Sequence, residues 1–149
     1  MGQTFSKLLF HIVFSTKDRM PYLRPLREDL FPYMGGIIRG IRGKAINING
    51  ANDHVHILTF LPTDVCVAEA VRVVKANSSK GVHQTRRERH AFAWQAGYSA
   101  FSVSESNLEQ VSKYVDAQEE HHRKRSFQEE LMALLQKHNL PYDERYMWG

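Results

Sequence analysis

Two histidines stand two residues apart in "GANDHVHILTFLP" (50–62), a segment otherwise rich in Val, Ile, Leu and Phe. Such a segment reads as a strand, and strand side chains alternate between faces. His54 and His56 therefore share one face, with their roots roughly 7 Å apart. Neutral imidazoles are common metal ligands, and a same-face pair can converge on one ion. A buried pair can equally be a hydrogen-bonded part of the core, so a site needs a third ligand. Asp53 falls on the opposite face of an ideal strand unless a turn redirects it, and carboxylates are sparse near the two histidines.

The third ligand must arrive on an element that packs against this strand. A helix beginning at Ser106 in "SNLEQVSKYVDAQEEHHRK" presents Val111, Tyr114, Gln118 and His121 on one face. Tyr114 and Gln118 are one turn apart, so their side chains are neighbours. A glutamine carbonyl can complete a coordination shell, and a tyrosine beside it would stand next to whatever the ion holds. Alone, such a tyrosine packs at a half-buried surface with its hydroxyl outward. His121 and His122 belong more naturally to a basic surface, although either is a substitute third ligand. Other chemistries are thin: the chain has no G-x-S-x-G elbow and no Walker-type glycine loop. "GGIIRGIRG" does not follow a strand in a phosphate-loop pattern, and Cys66, at the start of an apolar helix, packs rather than reacts.

A chain of 149 residues, 42% hydrophobic and 24% charged, has the composition of a soluble globule and is read as a single domain spanning 1–149. Its apolar runs are too short to span a bilayer, and no signal peptide is read at its start, so a cytoplasmic protein is expected. A lone cysteine excludes an internal disulfide and a cysteine zinc cage. The net charge of +4 is mildly basic, but its distribution is uneven. Lys75, Lys80, Arg86, Arg87 and Arg89 cluster in the middle, and "HHRKR" (121–125) forms a second knot, as suits a phosphate backbone.

The elements follow from periodicity. "SKLLFHIVFSTK" (6–17) is a strand with Leu8, Phe10, Ile12 and Phe14 on one face and Leu9, His11 and Val13 on the other. A helix over 24–41 contains Pro32, which predicts a late start or a kink. Strands 44–50 and 54–61 form a hairpin through "GAND". Thr63 or Asp64 would cap the next helix, which buries Val67, Ala70, Val71 and Val74 and stops near Ser79 before Gly81. Residues 82–97 read as a basic loop and 98–104 as a strand. Ser106 with Glu109, and Ser126 with Glu129, fit capping boxes for the last two helices, the second ending at Asn139 and Pro141. The order β-α-β-β-α-β-α-α predicts an α+β fold, an antiparallel sheet with packed helices in a ferredoxin-like arrangement.

"NDHVHIL" followed far downstream by "YVDAQ" resembles the HUH single-tyrosine transposases of the smallest bacterial insertion sequences and their relatives, the REP-associated tyrosine transposases. "HIVFSTKDRMPYL", "WQAGYSAFSVSES", "QEEHHRKRSFQEEL" and the closing "YDERYMW" are similar to this family too, so the resemblance spans nearly the whole chain. It implies the HUH endonuclease fold and a divalent metal, Mg²⁺ or Mn²⁺, on His54, His56 and Gln118, with Tyr114 as the nucleophile. The two imidazoles alone favour manganese, cobalt, nickel or zinc over magnesium. The implied substrate is single-stranded DNA with hairpin ends, cut through a 5′-phosphotyrosine and rejoined. The transposase branch works as homodimers, with the tyrosine acting in cis or in trans. Such an enzyme would sit in the bacterial cytoplasm with the nucleoid.

Arg39, Arg42, Lys44, Lys75, Arg86, Arg87 and Arg89 are the candidates for DNA backbone contacts. The alternatives are a domesticated REP-associated enzyme, a non-catalytic DNA-binding protein of the same fold, and a metal-dependent phosphodiesterase that uses water.

Overall fold

The computed structural model describes residues 2–122, 124–145 and 147, so Tyr146 and Trp148 of the closing motif and Arg123 of the basic knot lie outside the described residues. Four strands form one antiparallel sheet in the order β2-β3-β1-β4: β1 (Leu8–Ser15), β2 (Lys44–Gly50), β3 (His54–Leu61) and β4 (Ser99–Val103). With helices α1 (Arg27–Gly40) and α2 (Val67–Thr85) as the crossovers, this is the expected α+β, ferredoxin-like arrangement. Two short helices, α3 (Leu108–Asp116) and α4 (Gln118–His122), and a final α5 (Phe127–Lys137) complete the chain.

Strand alternation sorts the sheet into two unlike faces. Ile12 and Phe14 of β1 with Val55 and Ile57 of β3 meet Leu30, Met34 and Ile38 of α1 and Val71 and Val74 of α2 in the main core. The opposite face carries Val13 and Phe101 beneath Phe127, Leu131 and Leu134 of α5. His11, His54 and His56 belong to this second face and are buried there, 4%, 0% and 0% exposed.

The edge strand β2 reaches both faces through a bulge. Lys44 and Ala45 pair with Phe60 and Thr59, then the register skips Ile46 so that Asn47 pairs with Leu58 and Asn49 with His56. One extra residue inverts the facing of everything after it. Ala45 and Ile48 thus both reach the main core, while Asn47 and Asn49 stand on the histidine face.

Several local expectations are corrected. Helix α1 starts at Arg27, later than expected, but runs on through Pro32, which stands inside the helix rather than before it. It ends with Arg42 at φ 67, Arg42 N–H on the Arg39 carbonyl and Gly43 N–H on that of Ile38, a Schellman arrangement. Cys66, not Thr63 or Asp64, occupies the N-cap of α2, without a side-chain cap. That helix passes Ser79 and Gly81 because Gly81 is a contact point: a Cβ there would stand 2.7 Å from the Tyr33 ring.

The supposed basic loop opens with the last helical turn of α2, and beyond it Phe92 and Trp94 enter the core. The Ser106–Glu109 box does not form; a turn of 3₁₀ helix over Glu105–Asn107 precedes α3, whose N-cap is Asn107. The Ser126–Glu129 box does form, and Asn139 at φ 58 closes α5. Among the described residues no helix is long and apolar enough to cross a membrane.

Gly50, at the end of β2, has no room for a side chain. A Cβ there would lie 2.2 Å from the His54 carbonyl oxygen and 3.0 Å from the Val55 Cα, both backbone atoms that cannot turn aside. Gly50→Ala is therefore expected to destabilise the fold by about 2 kcal/mol or more, read as a drop of roughly 4–8 °C in the melting temperature.

Candidate active site

The histidine face is completed by helices that must be held in a fixed register. Asn47 and Asn49 grip α3 from the sheet edge. Asn49 Nδ2 donates to the carbonyls of Val115 and Asp116 at 3.1 Å each, which are end-of-helix carbonyls without a helical partner. Asn47 Nδ2 donates to the Ser112 carbonyl at 3.1 Å and to Asp116 Oδ1 at 2.8 Å. Arg27 of α1 spans Asn49 and Glu119, tying the next helix to the same edge. The helix expected to run unbroken from Ser106 pauses at Ala117, so Gln118 opens α4 while its Nε2 still donates to the Tyr114 carbonyl at 3.3 Å.

Five polar side chains converge under this scaffold. His54 Nε2 lies 3.1 Å from Gln118 Oε1 and 3.2 Å from Glu130 Oε1. His56 Nε2 lies 3.0 Å from the same Glu130 oxygen. The other oxygen, Glu130 Oε2, accepts the Tyr114 hydroxyl at 2.5 Å. His54, His56, Gln118 and Tyr114, the residues that the family resemblance implies, thus come together within one chain. His121 does not join them as a ligand; its ring stacks against Tyr114 with centroids 4.8 Å apart. For His122, only its place at the end of α4 is described.

The expectation of few carboxylates near the histidines is corrected twice. Glu130, 74 residues from His56, is 2% exposed and joins both imidazoles to the phenol. It lies on the buried stripe of α5 with Phe127, Leu131 and Leu134. A charged residue on an apolar stripe was the available signal. Asp53 is the second, turned by the hairpin so that its Oδ1 meets His54 Nδ1 at 2.9 Å. His11 was also missed: its Nε2 lies 2.7 Å from His56 Nδ1, and its place between Leu9 and Val13 on a buried face was the clue.

These outer partners orient the ligands. With Nδ1 of His54 on Asp53 and Nδ1 of His56 on His11, both ε-nitrogens turn toward Glu130, the arrangement typical of metal-binding imidazoles. Burial opposes charge on His54, but the carboxylates of Asp53 and Glu130 outweigh it and push its pKa up to about 9. Burial, with the His56 imidazole adding to it, pushes His11 down to about 3 and keeps it neutral. Burial first, then the bond to Glu130, pushes the Tyr114 phenol above its ordinary range.

The centre is rich in acceptors, and its own cation is the proton on His54. A divalent ion fits in its place: the His54, His56 and Glu130 ligand atoms lie within 4.8 Å of one another, and Gln118 Oε1 adds a further oxygen.

The basic residues chosen from sequence stand elsewhere. Arg39, Arg42 and Lys44 lie at the end of α1 and the start of β2. Arg42 is paired with Asp64 at 2.8 Å and Arg86 with Asp29 at 3.1 Å. Arg87 and Arg89 follow α2 in a short 3₁₀ turn. Lys75 is half-buried, and its ammonium donates to the carbonyls of Gln95, Ala96 and Gly97, a brace that a phosphate contact would have to break.

The family model described as "Transposase IS200 like" matches residues 4–118, which include every element from β1 through α3. No curated protein is significantly similar. Among solved structures, one described as a candidate transposase of Deinococcus radiodurans R1 superposes with a TM-score of 0.64 at 21% identity, covering 79% of this chain and 96% of that one. A REP-associated tyrosine transposase bound to a REP hairpin superposes with a TM-score of 0.61 at 12% identity, covering 82% of this chain and 73% of that one. Glu130 and α5 lie beyond the span of the family match.

Because the His54 proton and a divalent ion compete for one place, ion affinity should depend on pH. The raised pKa means that the proton must be displaced below about 9. Calorimetry with Mn²⁺ is expected to give one ion per chain, an affinity that rises from pH 6 and levels off near pH 9, and proton release at pH 7. His54→Ala should lose both the binding and its pH dependence.

Proposed function

The chain belongs to the IS200-like transposase family, and from that premise we propose that it cleaves and rejoins single-stranded DNA through Tyr114. The substrate is the hairpin-bearing end of an insertion sequence, and the protein works as a homodimer. His54 and His56, with the oxygens of Gln118 and Glu130, would hold a divalent ion. Mixed nitrogen and oxygen donors suit Mn²⁺ and accept Mg²⁺. When bound, the ion supplies Lewis-acid polarisation of the scissile phosphate.

The observation that carries this reading is the two-sided use of Glu130: Oε1 faces both imidazoles while Oε2 holds the Tyr114 hydroxyl. A phenol pushed above its ordinary pKa is not ionised near neutral pH, so attack needs an acceptor already in contact with it. Glu130 Oε2 takes the proton as Tyr114 Oη bonds to phosphorus. The P–O3′ bond breaks, its electron pair stays on O3′, and water supplies that oxygen's proton. The product is a 5′-phosphotyrosine.

In rejoining, a DNA 3′-hydroxyl attacks the same phosphorus and gives its proton to water; the bond between phosphorus and Tyr114 Oη breaks, and Glu130 returns its proton to the departing phenolate. The phosphodiester energy is kept in the protein–DNA bond, so strand exchange needs no outside energy source.

The structural likeness to a REP-associated tyrosine transposase favours a second reading with the same chemistry, a domesticated enzyme acting on dispersed palindromes. Both readings meet one test. Single-stranded DNA copied from the flanks of the gene, incubated with Mn²⁺ or Mg²⁺, should yield a covalent adduct that survives denaturation and is absent in Tyr114→Phe. Glu130→Gln should slow single-turnover adduct formation about 100-fold while leaving DNA affinity near wild type. Cleavage by Tyr114→Phe would point to a water nucleophile and sink the tyrosine mechanism. Binding without cleavage under either ion would leave a DNA-binding module, and an unslowed Glu130→Gln would remove the carboxylate from proton transfer.

A further inference from the structure

Beside Tyr114 a groove of about 400 Å³ runs between β4, α3 and α5. Tyr114, Glu130 and His11 are among its lining residues, so it reaches the reacting hydroxyl. A second cleft, of about 220 Å³ between α1 and α2, lies on the other face of the sheet and touches none of the site residues.

Resting on the function proposed above, we infer that the groove along β4, α3 and α5 binds the nucleotide adjoining the scissile phosphate. Three features match that occupant. Its volume falls in the range of small-ligand pockets. Arg125, at the entry to α5, and Lys137, in its last turn, both line the groove with exposed side chains. Neither has an ion-pair partner among the described residues, unlike Arg42 and Arg86.

The third feature is flat ring surface. The exposed imidazole of His138 stacks on Phe101 with centroids 4.3 Å apart and planes 21° from parallel. Stacking on such a platform holds single-stranded bases without demanding a particular sequence. Gln110 of α3, also lining the groove, places an amide within it for a base edge. The strand therefore tracks along α5, and the seven basic residues named as candidate backbone contacts lie outside this groove.

The experiment begins with wild-type protein, Mn²⁺ and single-stranded DNA from the gene's flanks, mapping the cleaved step from the adduct. The same oligonucleotide is then made with 5-iodouracil at the adjoining nucleotide and cross-linked by light. Cross-links are expected on Phe101, His138 or their neighbours in α5. Arg125→Ala and Lys137→Ala should each weaken DNA binding about fivefold and lower the salt slope of binding by about one. His138→Ala should weaken it about tenfold with less change in salt slope. Melting temperatures should match wild type.

Adduct formation by wild type, with cross-links elsewhere and unchanged affinity in all three variants, would overturn the groove assignment and leave the tyrosine mechanism standing. A wild type that forms no adduct under either ion overturns the functional reading and this inference with it.

Discussion

Glu130 places a carboxylate at only 2% exposure, and the surrounding structure is organised around satisfying it. An ion buried without partners costs several kcal/mol, and breaking an established buried pair costs about 3–5 kcal/mol. Its two oxygens are taken by three side chains from two other elements, His54 and His56 of β3 and Tyr114 of α3. Only one docking of α5 meets all three. The apolar stripe of that helix would tolerate small slips along the sheet, but the carboxylate would not.

The second requirement is that the tyrosine helix be placed as firmly as α5. Here the contacts are polar and come from an edge strand. The bulge at Ile46 turns Asn47 and Asn49 toward the site, where they bind the last carbonyls of α3. Were Ile46 paired in regular register instead of bulged, the asparagines would share the face of Ala45 and point into the main core. Arg27 of α1 ties β2 to α4 in the same place, so a crossover helix also bears on the position of Gln118. Asp53 and His11 finish the arrangement by fixing which nitrogen of each imidazole faces inward.

Local signals were read well where the physics is local. The Ser126–Glu129 box forms because both of its hydrogen bonds lie within one turn. The hairpin and the alternation of β1 and β3 are likewise set over a few residues. Local signals failed where a distant element overrode them. Gly81 resembles a helix stop, yet a ring from another helix packs on it and helix continues. Ser106 and Glu109 have capping-box spacing, but the chain leaving β4 winds first as 3₁₀ helix. Phe92 and Trp94 sit in a segment whose polar composition hid their burial in the core.

The candidate site divides along the same line. Local periodicity sets His54 and His56 on one face, puts Tyr114 and Gln118 one turn apart, and orders the elements as in a ferredoxin-like sheet. Each of these follows from the 2.0 and 3.6 residue periods of strand and helix. Packing of the helices on the sheet brings Glu130 between the histidines and the tyrosine, turns Asp53 inward and sets His11 behind His56. Periodicity fixes the direction of a side chain on its own element. Which partner it meets across 74 residues, as between His56 and Glu130, depends on how the helices pack on the sheet.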